Sequence, residues 1–168
     1  MKFRFYQPFI TISILAILCL SVVSCDSTNR KNSKEIAVSH VFPNDNWAFE
    51  EEVLEFDFDI SDTTKNYSVS LALTYDTAVA MLRDIPLSVT LNTPDGMQSV
   101  AKSHFNLKRD ENMGIRLANS GSIAEASVVI FPERRFKAAG TYHLTVYRRA
   151  EKADNYGFKE LTAKVKPS

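Results

Sequence analysis

Cys25 is the residue best placed to do chemistry in this chain. It closes the run Val22-Val23-Ser24-Cys25 at the end of an apolar stretch. A lipoprotein signal peptidase needs small residues before its cut, and Ser24 supplies one. The Cys25 thiol would take a diacylglycerol, and cleavage just before it would make it the new N-terminus. No other set of reactive side chains is as well defined. The histidines are His40, His104 and His143, and none sits in an HxxxH or HExxH spacing that would ligate a metal. There is no G-x-S-x-G elbow, and five glycines are too few and scattered for a phosphate loop. Glu55, Asp57 and Asp59 invite a metal or acid–base reading. They alternate with apolar residues, however, which is the solvated face of a strand; a closed site needs acids converging from separate elements. Arg134-Arg135 could hold an anion, and reads first as a solvated loop pair. No cofactor, metal or catalytic set follows, so the expectation is not an enzyme.

The leader sets the address. Lys2 and Arg4 form a positive n-region. Phe9 to Val23 is an apolar core of about fifteen residues, the length of a signal h-region and short for a membrane span. Of the two cysteines, Cys19 lies inside this core and leaves with it. The domain downstream then has no thiol for a disulfide, a metal or nucleophilic catalysis, and its core must hold it together. Taking Lys2 and Arg4 from 20 basic residues leaves 18 against 20 acidic, a net charge of −2. Nothing in that balance implies a nucleic-acid partner. The reading is a removed signal peptide over 1–24, a lipidated cysteine and polar tether over 25–35, and one domain over 36–168. The implied first partner is the lipid bilayer, through acylated Cys25.

The elements that follow are strands. Leu54, Phe56, Phe58 and Ile60 alternate with the three carboxylates, period two. Tyr67, Val69, Leu71, Leu73 and Tyr75 repeat the pattern, as do Ile85, Leu87, Val89 and Leu91. Pro86 lacks the N–H that a ladder needs, so its strand should start at an edge or after a bulge. Thr93-Pro94-Asp95-Gly96 reads as a hairpin turn leading into a return strand over 97–107. Ile115–Ala118 reads as a short strand, 122–127 as helix or loop, and Val128–Phe131 as an apolar run ended by Pro132. Tyr142, Leu144 and Val146 alternate again, and a strand from Phe158 carries Leu161, Ala163 and Val165 inward. About seven to nine strands at roughly ten-residue spacing predict an all-β chain, a single antiparallel sandwich of Ig-like or jelly-roll-like type.

Several of these segments together resemble the gliding motility lipoproteins of the GldH type, from the Bacteroidota. The features are the lipobox at Cys25, Trp47, the strand Val53-Leu54-Glu55-Phe56-Asp57-Phe58-Asp59-Ile60 and the segment Asp62-Thr63-Thr64-Lys65-Asn66-Tyr67. Arg83-Asp84-Ile85-Pro86-Leu87, Phe136-Lys137-Ala138-Ala139-Gly140-Thr141-Tyr142 and Gly157-Phe158 complete the set. The resemblance implies a non-enzymatic envelope lipoprotein whose partners are other proteins of a gliding or secretion machine. Anchoring in the outer membrane of a Gram-negative cell is expected. Arg30 and Lys31 follow Asp26 where a surface-export signal would be acidic, which favours the periplasmic side. Trp47 and Tyr75 are the candidate anchors of an interaction surface, since aromatics dominate protein contacts. The alternative is a lipid-anchored carbohydrate- or ligand-binding sandwich that uses Trp47 as a platform.

Overall fold

A computed structural model describes residues 34–48, 51–80, 84–107, 123–149 and 155–168. Cys25, the leader and Ile115–Ala118 lie outside these residues. The described residues form ten strands and one 3-10 turn, Pro43–Asp45. Eight strands have six residues or more: β1 (Ile36–Val41), β3 (Val53–Ile60), β4 (Asn66–Asp76), β5 (Asp84–Asn92), β6 (Gln98–Asn106), β7 (Ile123–Arg135), β8 (Gly140–Arg148) and β10 (Phe158–Pro167). Two short ones, β2 (Asn46–Trp47) and β9 (Asn155–Tyr156), pair with each other.

Period-two alternation decides which side chains meet. In β3, Leu54, Phe56, Phe58 and Ile60 are buried and the residues between them exposed. In β4, Tyr67, Val69, Leu71, Leu73 and Tyr75 are buried. Ile85, Leu87, Val89 and Leu91 of β5, Tyr142, Leu144 and Val146 of β8, and Leu161, Ala163 and Val165 of β10 complete the core. Each fully buried side chain of this size contributes about 1.5–3 kcal/mol relative to exposure. One face per sheet is therefore apolar, and the sheets stack on those faces.

The long strands pair as a nested antiparallel ribbon: β5 with β6, β4 with β7, β3 with β8 and β1 with β10. The Thr93–Gly96 turn is its tip, and Gly96 takes φ +81° there. Rolling the ribbon puts alternate pairs in opposite sheets, ordered β1-β10-β4-β7 and β3-β8-β5-β6. That is the jelly-roll arrangement, which resolves the choice left open by strand spacing.

Three local expectations are corrected. Pro132 does not end its strand. β7 runs through it because the ladder with β4 slips between Tyr67 and Val69 and again between Val69 and Ser70. The first of these bulges absorbs Pro132 and its neighbour Glu133, at φ +47°. β7 is also an edge strand, where a missing N–H is tolerated. Of the stretch 122–127, read as helix or loop, the described part, Ile123–Ser127, is the first part of β7. Its inward residues are only Ala124 and Ala126, too small to print a clear alternation. Pro86 lies in an inner strand, with β6 on one side and β8 on the other. It is accommodated because the β8 register starts one residue later, at Leu87 opposite Arg148. Its carbonyl still accepts the Arg149 N–H at 2.8 Å.

The sandwich has two ends. The near end is where Ile36 begins β1, opposite Val165. It also holds the 61–65 turn, the Thr93–Met97 hairpin and the β7–β8 connection. The far end holds Phe42–Ala48, Glu51, Glu52, the 77–80 turn, and Arg148, Asn155 and Tyr156.

Candidate functional site

At the far end, the chain leaves β1 at Phe42 and turns through Pro43–Asp45, with Asn44 at φ 55° and Asp45 at φ 54°. Asn and Asp are the residues that tolerate such angles. The turn drops Trp47 into β2, where it pairs with Asn155. The indole is 0% exposed. It stacks on Phe42 with ring centroids 5.0 Å apart and meets the edge of Phe158 at 6.3 Å. Its Nε1 donates to the Glu51 carbonyl at 2.7 Å.

Over the indole lies Arg148, its guanidinium carbon 5.2 Å from the ring centroid. Arg148 is 2% exposed. It continues the inward register of Tyr142, Leu144 and Val146, so the last inward position of β8 is a cation. Nη1 donates to the Trp47 carbonyl and Nη2 to the Ala48 carbonyl, each at 3.2 Å. A buried charge is tolerated only when held in this way. Its donors lock the 47–48 backbone, and its charge sits on the ring face where cation–π attraction is strongest for tryptophan. Extending the β8 alternation by one step would have singled out Arg148.

The expected interaction surface is therefore corrected. Trp47 and Tyr75, at 0% and 2% exposure, are interior side chains. Tyr75 belongs to the inward register of β4, between Phe158 of β10 and Ala124 of β7. Neither can touch a partner directly, and the aromatic platform of the ligand-binding alternative is not available at Trp47. What this end does expose is a different set: Tyr156 at 58%, Tyr147 at 40%, and Val41, Val53, Val79 and Ile123. Val53 and Tyr147 are register partners on the outer face of β3 and β8. Val79 lies beside Gly157, the residue after Tyr156; a Cβ built on Gly157 would stand 3.0 Å from the Val79 Cβ.

At the near end a cleft of about 160 Å³ opens between the Thr93–Met97 hairpin and Arg134–Ala138, with Tyr142 as its floor. The hairpin is closed by Thr93 N–H to the Met97 carbonyl at 2.9 Å and by Met97 N–H to Thr93 Oγ1 at 2.9 Å. Thr93 also donates its hydroxyl to the Asp95 carboxylate. That bond is the main reason the Asp95 carboxyl is held below the usual carboxylate range. Gly140 lets Pro94 pack close: a Cβ there would stand 3.2 Å from the Pro94 ring. Arg134 donates from Nη2 to Ser99 Oγ at 2.6 Å, joining β7 to β6 across the open side of the sandwich. Its guanidinium also lies 5.2 Å from the centroid of Phe131. Arg135 donates from Nε to the Thr63 carbonyl at 3.4 Å. Below, Phe136 meets Tyr142, Tyr67 and Phe58 at 4.5, 5.4 and 6.1 Å between centroids. Burial pushes the Tyr142 phenol up from its ordinary value, and its hydroxyl donates to the Ala138 carbonyl at 2.7 Å. Arg134, Arg135 and Lys137 thus surround a small cavity with Asp95 as its one carboxylate. The arginine pair is part of a strand end, where a solvated loop had been expected.

The histidines stay apart. His40 is in the inward register of β1, with Nε2 3.7 Å from Glu51 Oε2. His143 lies on the outer face of β8, Nδ1 2.7 Å from Asp57 Oδ1. His104 is exposed on β6. Among the described residues, no three His, Cys, Asp or Glu side chains are grouped so as to hold a metal ion.

No family model matches the chain, and no curated protein does. Among solved structures, it is similar to a chain from the structure of infectious bursal disease virus Gx strain, at 12% identity and a TM-score of 0.40. That match covers 80% of this chain and 32% of the viral one. At this distance it carries no argument about function.

Proposed function

We propose that this chain is a lipid-anchored, non-enzymatic lipoprotein of the cell envelope, similar to the GldH type of gliding motility lipoprotein. It serves as a protein-interaction component of a motility or secretion apparatus. Its anchor is acylated Cys25, and its place is the periplasmic face of the outer membrane. The observation that carries the interaction role is the far end of the sandwich. Exposed Tyr147 and Tyr156 stand there with Val41, Val53, Val79 and Ile123, above a backbone fixed by Trp47 and Arg148. Rigidly held exposed aromatics are what contact hot spots are made of. The same end lies opposite the point where the N-terminal segment joins the domain, so an anchored domain would present it away from the membrane.

The test combines a deletion strain with a crosslinking pull-down of the tagged protein, and a Tyr147→Ser, Tyr156→Ser double variant. The expected outcome is loss of spreading or secretion in a motile host, and envelope proteins in the wild-type pull-down that the double variant fails to capture. Normal motility and secretion with no envelope partner would overturn the proposal, most sharply if the chain instead bound glycans saturably. Anchoring is read separately: palmitate labelling should be present in the wild type and absent from Cys25→Ala. Equal labelling of the two would remove the lipid anchor.

A further inference from the structure

We infer that the near-end cleft is a docking site for the phosphate of an anionic phospholipid headgroup, which orients the domain on the membrane. The inference rests on the anchored reading above for its biological setting, and on the cleft itself for its chemistry.

Position comes first. The cleft belongs to the end at which Ile36 enters the sandwich. Register carries Ile36 to Val165, Val165 to Val69 and Val69 to Phe131, three residues before Arg134. Ten residues lie between Cys25 and Ile36, a reach of at most about 40 Å over the steps that join them at roughly 3.5 Å per residue. An anchored domain is tied to the membrane through this end.

Charge comes second. Arg134, Arg135 and Lys137 border the cavity, against Asp95 alone. Lys34, Lys65 and Lys166 lie at the same end. Its carboxylates are Asp59, bonded to Thr141, Asp62, paired with Thr64 and Lys65, Asp95, bonded to Thr93, and Glu35 and Glu133; all stay charged, so the described residues of this end hold six cations against five carboxylates. Glu35 and Glu133 do not line the cavity. The far end is net acidic, with Asp45, Glu51, Glu52, Asp76 and Asp84 against Arg148, Arg149 and Lys159 among the described residues, −2 against +1 at the near end. A negatively charged leaflet would attract one end of the domain and repel the other.

The third observation is preorganisation and size. Ser99 and Phe131 hold Arg134 in place and use one of its five N–H donors. A planar fork fixed in this way suits a phosphate oxyanion. The cavity is smaller than the roughly 300 Å³ at which drug-sized pockets begin, yet has room for one phosphate group. Beside it Met97 is 58% exposed, an apolar side chain placed to enter the interfacial region as the headgroup binds.

The experiment uses water-soluble short-chain lipids, so its outcome does not depend on acylation. The protein, purified as the cell processes it, is titrated with dihexanoyl phosphatidylglycerol, dihexanoyl phosphatidylcholine or inorganic phosphate. Binding is read from the NMR signals of the Met97 methyl and the arginine Nε–H groups. The expected result is saturable binding of phosphatidylglycerol at least about tenfold tighter than inorganic phosphate, as headgroup and apolar contact act together. Lys137→Gln, an exposed change, should weaken it roughly fivefold, and Arg134→Gln with Lys137→Gln more than about tenfold. The dispersion of the remaining methyl signals checks that each variant is folded. Equal affinity for phosphatidylglycerol and free phosphate would mean a simple anion site and overturn the inference. So would the absence of shifts, or binding indifferent to both variants. Acylation of Cys25 is read by mass on the same preparation. A chain without lipid that still binds phosphatidylglycerol refutes the anchor alone; an acylated chain that does not bind refutes the headgroup site alone.

Discussion

Replacing Phe58 by alanine tests the register on which the whole sandwich depends. Phe58 is 3% exposed. Its ring stacks on Tyr142 at 5.8 Å with an interplanar angle of 11° and meets Phe136 edge-on at 6.1 Å. Truncation removes the burial of a whole ring and leaves a cavity between Tyr142 of β8 and Phe136, the buried residue that follows β7. The expected loss is about 4 kcal/mol, within the 3–5 kcal/mol typical of such changes. With a urea m-value of about 2 kcal/mol per molar, the midpoint should fall by about 2 M at unchanged m. The neighbouring Asp57 is the control. Its carboxylate is 61% exposed and bonds only the exposed His143, so Asp57→Ala should cost at most about 0.5 kcal/mol, a midpoint shift of about a quarter molar. Trp47 fluorescence supplies the assay, since the indole is buried at the opposite end and reports global unfolding. If Asp57→Ala or Glu55→Ala proves as costly as Phe58→Ala, β3 is one residue out of register and every face assignment built on it is wrong.

Two further outcomes are expected. Gly157→Ala should destabilise by about 1–3 kcal/mol in the same urea assay, because Gly157 has φ +88° and a Cβ would stand 2.7 Å from the Ala80 nitrogen; a neutral effect would refute the close approach of the 77–80 turn. The Asp62 carboxyl is held down to about 2 by the Thr64 hydroxyl and then by Lys65. A depressed carboxylate stabilises the fold above its unfolded value of 3.8 and loses that contribution as the pH falls towards 2. Asp62→Asn should therefore lower the melting temperature at neutral pH, with the gap to wild type closing through that acid window. A gap independent of pH would refute it.

Much of this fold could be read from the chain because most of its core strands are long and their inward residues large. Phe56, Phe58, Leu71, Leu73, Leu144 and Leu161 announce their faces. β7 was obscured for the converse reason: Ala124 and Ala126 carry little contrast, and a bulge hides the strand's passage through Pro132. Strand order was not visible at all, because β1 meets β10 through pairings such as Ile36 with Val165, which no local pattern encodes. The site residues were misjudged by type. As aromatics, Trp47 and Tyr75 attract the eye in the sequence, although Tyr75 stands in the inward alternation of β4. Tyr156, in a two-residue strand, and Arg148, a cation in an apolar register, gave weaker signals. The near-end cleft joins two segments about forty residues apart, and only Arg134-Arg135 hinted at it.

The pairing of the first strand with the last has a mechanical consequence. β1 and β10 run antiparallel with six residues in register, Ile36 to Val41 against Val165 to Glu160. The ladder's hydrogen bonds lie across the strands. A pull delivered through the N-terminal segment at Ile36, with the domain held by its far end, is directed along β1. It loads all the rungs of that ladder together in shear, whereas a pull from the side would peel them off one at a time. The jelly roll therefore resists tension most strongly along the line from its N-terminal segment to Tyr147 and Tyr156. That is the direction in which an anchored link between a membrane and a moving partner would be pulled.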